Sequence, residues 1–258
     1  VDSVFPIGGT VTGTALLDGS TAGRLSVLSD LTHHDDATGD SHLAGTVSYA
    51  EGKAENGGIP WINADLAVAP LSLTTVGAFA PAAGLHGTVA GPVRLAGPLR
   101  ALRLDAHLAT QDSGTIEAHG VANLAGRDPN AKSFDGTIAT HLFNARSVVT
   151  NAPPTSLTAA ASVHGHGLTA ASVDAVLQAR IQASSYASVA VDSALVRLSA
   201  ADGVLHVDTC ALVVPHGMAN VHGTLGLTRE RHGTLSYAAV IDSLGAFARF
   251  LPRDTCVV

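Results

Sequence analysis

The side chains best suited to chemistry in this chain are histidines and aspartates, and they come closest together at His33, His34, Asp35 and Asp36. Imidazole nitrogens and carboxylate oxygens are common metal ligands. Consecutive residues of a strand point to opposite faces, however, so this run makes a poor chelate unless a turn gathers it. The other histidines are mostly scattered singly along the chain. We therefore predict solvated surface histidines and no metal site.

A second candidate is the serine of Gly39-Asp40-Ser41-His42, a run similar to the nucleophile block of GDSL-type hydrolases. Such a serine needs a histidine base that a carboxylate orients, usually supplied by a late Asp-x-x-His. The nearest approximation here is Asp202 with His206, and its spacing is wrong. We predict no catalytic residue and no enzymatic activity.

The run HGHGLTA at residues 164–170 contains the glycine spacing of a dinucleotide-binding loop. That loop works only when a helix follows it, because the helix N-terminus holds the pyrophosphate. The residues that follow alternate between apolar and polar with a period of two, which is typical of a strand. We therefore predict that the chain binds no nucleotide, and no other cofactor is predicted.

The composition narrows the class of protein further. The 258 residues are 46% hydrophobic but only 14% charged, against roughly 25% charged in typical soluble domains. With six Phe, three Tyr and one Trp, the apolar content is mostly Ala, Val and Leu. The net charge of −7 and the scattered basic residues exclude nucleic acid as a partner, because its binders need clustered Lys and Arg.

The sequence also bears on the context of the protein. No run approaches the roughly 18 apolar residues of a membrane-spanning helix, and the first residues lack the layout of a signal peptide. The strand-like residue pattern of the chain has already begun at the first residues, so we expect the sequence to be a piece of a longer chain. Cys210 and Cys256 could form one bridge or stay free, and the sequence leaves both alternatives open.

A glycine frame recurs along the chain, since GTVTGTALLDG at residues 9–19 returns as GTVAGPVRLAG at residues 87–97. Each copy leads to a pair of glycines six residues apart, and a third such pair follows later, giving Gly39/Gly45, Gly114/Gly120 and Gly217/Gly223. Long repeats of this kind indicate stacked units. We predict units at 1–80, 81–160 and 161–258, the last with an insertion, in one continuous elongated domain.

Strict alternation of apolar and polar residues predicts β-strands. In SVDAVLQARIQA at residues 172–183, Leu177, Ala179 and Ile181 fall on one side of a strand, and Gln178 and Arg180 on the other. Short strands joined by turns imply antiparallel pairing. The sequence predicts an all-β protein, a curled and mainly antiparallel sheet of repeated multi-strand units, with short helices only near 74–80 and 245–251.

A glycine inside a strand marks a bulge or a sharp bend, so repeated glycines should curl the sheet progressively. Its apolar face is then either covered by a second sheet, as in a sandwich, or left as an open groove. If neighbouring strands pair in register, one continuous apolar strip results. We predict lipid-binding side chains in this strip, namely Val89, Val93, Leu95, Leu102, Leu104, Leu108, Ile116, Val173, Leu177 and Ile181.

The order of these elements resembles the AsmA-like/TamB superfamily. The resemblance rests on the GTVxGxxxLxG frame, the strand LRLDAHLA at 102–109, GTIEAHGVANL at 114–124, and the long run from Ser184 to Leu227. It implies a β-groove protein of the bacterial envelope that lies in the periplasm and transports phospholipid between membranes. It also implies that the chain is tethered to the inner membrane through regions outside this sequence.

Two functions follow as expectations. The first is a non-enzymatic module whose partners are phospholipid acyl chains and membrane proteins of the envelope. The alternative is a structural accessory subunit docked on the extracytoplasmic face of a larger membrane protein complex. The apolar face separates them, because it must be open to lipid in the first case and covered by protein in the second.

Overall fold

The computed structural model describes residues 8–20, 22–52, 58–78, 84–126, 128–187 and 189–242. Fourteen antiparallel strands form one sheet in which spatial order equals chain order, and β1 is not paired with β14. The all-β prediction is confirmed. The strands are β1 Thr10–Gly19, β2 Arg24–His34, β3 Ser41–Ala50, β4 Trp61–Ser72, β5 Thr88–Pro98, β6 Leu102–Thr110, β7 Thr115–Asn123, β8 Ser133–Phe143, β9 Thr155–His166, β10 Asp174–Tyr186, β11 Val189–Ala201, β12 Val204–Val214, β13 Gly217–Gly226 and β14 Leu235–Ile241.

The period-two pattern is what builds these strands. In β10 the half-buried residues alternate with exposed ones, so that Leu177 and Ile181 lie on one face and Gln178 and Arg180 on the other. Every described strand belongs to the same sheet. The sandwich alternative is therefore wrong for the part of the chain that the structure describes.

The repeat maps onto groups of strands. The glycine frame lies in β1 and again in β5, and the glycine pairs flank or lie in β3, β7 and β13. The second copy begins four strands after the first, whereas β13 comes six strands after β7. Two additional strands thus account for the longer spacing before the third glycine pair.

Two equivalent glycines of the repeated frame have backbone conformations and close contacts that only glycine allows. Gly13 has a φ of +134° and Gly91 a φ of +145°, which side chains disfavour. A Cβ atom at Gly13 would stand 2.1 Å from the carbonyl oxygen of Asp30, and one at Gly91 would stand 2.0 Å from that of His107. Both strands therefore bend close to their neighbour in a way that only glycine allows.

Helix is limited to short pieces in the described residues. Helix α1 spans Leu73–Gly77 and is capped by Ser72, which confirms the helix predicted near 74–80 for its first part. Single 3-10 turns occur at Leu99–Ala101, Pro129–Ala131 and Ala145–Ser147. The helix predicted at 245–251 lies outside the described residues. None of the described helices has the length and apolar character to cross a membrane.

Few apolar side chains are fully buried. Among the described residues the buried apolar set is Ala64, Val68, Val89, Leu102, Val148, Ala194, Ala200 and Val207. A fully folded sheet of this size with so small a core keeps much of its apolar surface only half-covered. The position of that surface defines the candidate site.

Candidate functional site

The register of the strands places one unbroken row of apolar side chains and glycines across the whole sheet. Each residue of this row is the direct partner of the next one on the neighbouring strand. At about 4.8 Å per strand the row runs for roughly 60 Å along the sheet. The row consists of Leu17, Val27, Val47, Ala64, Leu95, Leu104, Gly120, Gly136, Val163, Leu177, Leu198, Val207, Gly223 and Leu235.

A second row runs parallel to the first on the same face. On most strands its residue lies two positions from the residue that belongs to the first row. It contains Leu66, Val93, Ile138 and Val196, with many alanines between them. Neither row contains Asp, Glu, Lys or Arg. We call the side of the sheet that carries these two rows the apolar face, and the other side the polar face.

Nine of the ten residues predicted to bind lipid share this face. Val89, Val93 and Leu95 alternate in β5 and pair with Thr110, Ala106 and Leu104 of β6. Leu102, Leu104 and Leu108 alternate in β6, Ile116 pairs with Leu108, and Leu177 and Ile181 extend the face in β10. Val173 differs, because it lies in the turn just before β10, which begins at Asp174.

The apolar face is open in some places and covered in others. Leu104 is 37% exposed and Ile138 47% exposed near the middle of the sheet. Val68 and Val89, on the same face, are each only 3% exposed. Both valines lie towards the side of the sheet where β2, β4, β6 and β8 end, next to a set of loops that are joined by hydrogen bonds.

These loops, residues 35–40, 73–78, 84–87 and 144–152, form what we call the rim cap. Ser72 is its anchor and is almost fully buried. The Ser72 hydroxyl donates to the carbonyl oxygen of Thr38, and the Ser72 N–H donates to the hydroxyl of Ser41 at 2.9 Å. Thr75 in α1 donates its hydroxyl to that of Thr38 at 3.0 Å. These bonds join the first two loops.

Backbone bonds join the remaining loops of the rim cap. Leu85 and Val149 form an isolated antiparallel bridge. The N–H of His86 donates to the carbonyl of Val148 at 3.0 Å, and that of Thr150 donates to the carbonyl of Gly84 at 2.8 Å. Sequence reasoning missed this cap, since its partners are far apart in the chain and only the helix near 74–80 hinted at it.

Beyond the rim cap the apolar face opens into a cavity of about 620 Å³ at the ends of β9 to β14. The first wall is Ala145, at the edge of the cap. Most of the remaining lining comes from apolar side chains, including Leu157, Ile181, Val191 and Leu212, and none of it is charged.

The polar face carries one arginine–aspartate ion pair and several histidine–carboxylate pairs between neighbouring strands. Arg94 lies 3.2 Å from Asp65. Histidine pairs with a carboxylate at His42–Asp30 (2.8 Å), His107–Glu117 (3.1 Å), His119–Asp105 (2.5 Å) and His164–Asp135 (2.8 Å). All these side chains are substantially exposed, so each pair contributes at most about 1 kcal/mol of stability.

The motifs with apparent chemistry resolve into structural roles. His33 and His34 point to opposite faces, since the His33 ring bonds the carbonyl of Gly8 at 2.7 Å and His34 bonds the carboxylate of Asp40. The Asp40 hydrogen bond raises the pKa of His34, and the N–H of Ala37 lowers the pKa of Asp35. Within the described ranges, no three His, Cys, Asp or Glu side chains are grouped to hold a metal.

The other two motifs lack the partners that their chemistry needs. The Ser41 hydroxyl is buried as the acceptor of the Ser72 N–H, while His42 bonds Asp30 on the polar face. The run at 164–170 is followed by strand β10, so no helix stands ready for a pyrophosphate. Cys210 is half-buried on the apolar face, and Cys256 lies outside the described residues.

Comparison with known proteins gives no relative. No protein-family model, no curated protein and no solved structure matches this chain. The functional argument therefore depends on the geometry of the apolar face.

Proposed function

We propose that this chain is a non-enzymatic β-groove module that binds phospholipid acyl chains along its apolar face and conducts them between membranes of the cell envelope. In this proposal it works in the periplasm, tethered to the inner membrane through regions outside this sequence. The observation that carries the proposal is the uncharged row that crosses all fourteen strands without interruption. The resemblance to the AsmA-like/TamB superfamily points the same way.

The chemistry of the two faces supports this function. An acyl chain laid on the apolar face would gain about 0.8 kcal/mol for each buried CH₂ group. A charged headgroup gains nothing there, because no charged side chain lies in either row, and it would stay at the edge of the sheet. Small side chains such as Ala106, Ala118 and Ala161 leave the face smooth, so a chain can slide without being held at one point.

Photocross-linking tests this proposal. A benzophenone side chain replaces Leu104 on the apolar face, and a matched variant carries it at Val121, which is 41% exposed on the polar face. Irradiation in a bacterial envelope should give phospholipid adducts from position 104 and none from position 121. Adducts to protein alone from position 104 would overturn lipid binding and favour a structural accessory subunit docked on a larger membrane complex.

A further inference from the structure

We propose that the cavity beyond the rim cap is a discrete site for one phospholipid acyl chain, which enters sideways across the long edge of the sheet. This inference rests on the proposed lipid-binding function and deepens it. The proposed function needs only a continuous apolar face, whereas this inference assigns a fixed resting place to one chain on that face.

The size of the cavity suits a single chain. Its volume of about 620 Å³ falls within the range of roughly 300–1,000 Å³ that small-molecule sites occupy. The side walls are Leu157, Ile181, Val191, Leu212 and Ile241, contributed by five different strands. Because these strands are hydrogen-bonded side by side, the cavity is part of the sheet itself.

Two of the hydroxyl groups in the lining already have hydrogen-bond partners. The Thr155 hydroxyl donates to the carbonyl of Phe143 at 3.0 Å and accepts the N–H of Ala145 at 2.7 Å. The Ser184 hydroxyl accepts the N–H of Thr158 at 2.9 Å and donates to the carbonyl of Gln182 at 2.8 Å. No charged side chain lines the cavity. The lining is therefore mostly hydrocarbon and carries no charge, which favours an alkyl chain and leaves a charged headgroup in solvent.

The entrance is set by where the rim cap ends. Along this edge β4 and β5 are joined by residues 73–87 and β8 and β9 by residues 144–154, and the described parts of these connections are hydrogen-bonded to one another in the rim cap. The connections at 187–188 and 215–216 have two residues each, too short to reach over it. Tyr186, in the lining, is 57% exposed at this opening.

Filling the cavity tests the inference. Ala239 lies in the lining and is exposed, so Ala239→Trp should fold and occupy the space of the chain. The neighbouring Ala238 is also exposed but points to the opposite face, opposite Asn220, which makes Ala238→Trp the matched control. Binding of a phosphatidylethanolamine with a fluorescent acyl chain should weaken at least tenfold in Ala239→Trp and stay unchanged in Ala238→Trp.

The outcomes separate this site from the function as a whole. If the unaltered protein binds no probe, the proposed function fails and this site fails with it. If all three proteins bind alike, lipid binding stands and the discrete site is overturned. Should Ala239→Trp unfold, Val191→Phe replaces it, because its side chain fills the same cavity. The same tenfold loss of probe binding relative to the control is then expected. Unlabelled phosphatidylethanolamine should displace the probe, and displacement by free fatty acid alone would overturn the assignment to phospholipid.

Discussion

At the scale of single residues, introducing one charged side chain into the apolar face distinguishes an open surface from a packed core. Leu104→Glu should lower the free energy of unfolding by only about 1 kcal/mol, because the site is partly open, and should reduce co-purified phospholipid at least tenfold. Val121→Glu on the polar face should cost the same stability and leave lipid content unchanged. Thermal unfolding and mass spectrometry of extracted lipid measure both effects.

The opposite result would identify a covered core. A buried and unpaired carboxylate costs several kcal/mol, so unfolding of Leu104→Glu alone would contradict an open face at this position.

The ion pair of His34 and Asp40 gives a second prediction at this scale. The hydrogen bond that the His34 ring donates to the Asp40 carboxylate raises the pKa of His34 above its ordinary value of 6.5. The pair therefore contributes stability below pH 6.5 and loses it as the pH rises through the raised pKa. Asp40→Asn should therefore lower the pKa of His34 in an NMR titration. Asp36→Asn should lower it less, since Asp36 is a weaker cause, and an equal shift in both variants would refute this ranking.

At the scale of elements, the bend glycines should be intolerant of any side chain. Gly91→Ala combines a φ of +145° with a Cβ atom 2.0 Å from the carbonyl of His107, so we expect a loss of about 2–3 kcal/mol in the free energy of unfolding. Gly23→Ala, where a Cβ meets nothing within 4 Å, is the control and should be nearly neutral. Urea denaturation measures the free energy of unfolding of both variants. Equal losses of stability in the two would contradict the steric explanation.

The anchor of the rim cap should be equally sensitive. Ser72→Ala removes the hydroxyl that bonds the carbonyl of Thr38 and leaves buried polar groups unpaired, which costs about 1–3 kcal/mol. Amide exchange at Thr75 should accelerate as α1 loosens. Ser162→Ala, at an exposed position of β9, should change stability by less than about 0.5 kcal/mol. An unchanged exchange rate in Ser72→Ala would mean that other contacts hold the cap.

The contrast between strands and cap shows how far the sequence alone reaches. Alternation is a local signal, so it predicts β6, β10 and β14, and with in-register pairing it also predicts that Leu95 and Leu104 are neighbours. The rim cap depends on bonds between distant residues, such as Ser72 with Thr38 and Leu85 with Val149. No local pattern encodes which loops meet, so the covered and open parts of the apolar face were not predictable.

At the scale of the whole molecule, a half-covered apolar face should show in the heat capacity of unfolding. When a typical domain unfolds, its heat capacity rises by about 12–15 cal/mol/K per residue, because unfolding exposes the buried apolar core to water. Here only eight apolar residues of the described chain are buried, so calorimetry should give a heat capacity of unfolding below that range. A value within it would mean that the apolar face is shielded from water in the folded protein.

The identity of spatial order and chain order has a consequence for how the protein forms. Every strand needs only its immediate predecessor as a template, so no segment must wait for a distant part of the chain. Loop-closure entropy is then small at each step, and such local topologies fold faster than sheets that depend on remote pairings. Assembly can proceed strand by strand from one end while the rest of the polypeptide is still emerging, and a longer chain would prolong the process without making it harder.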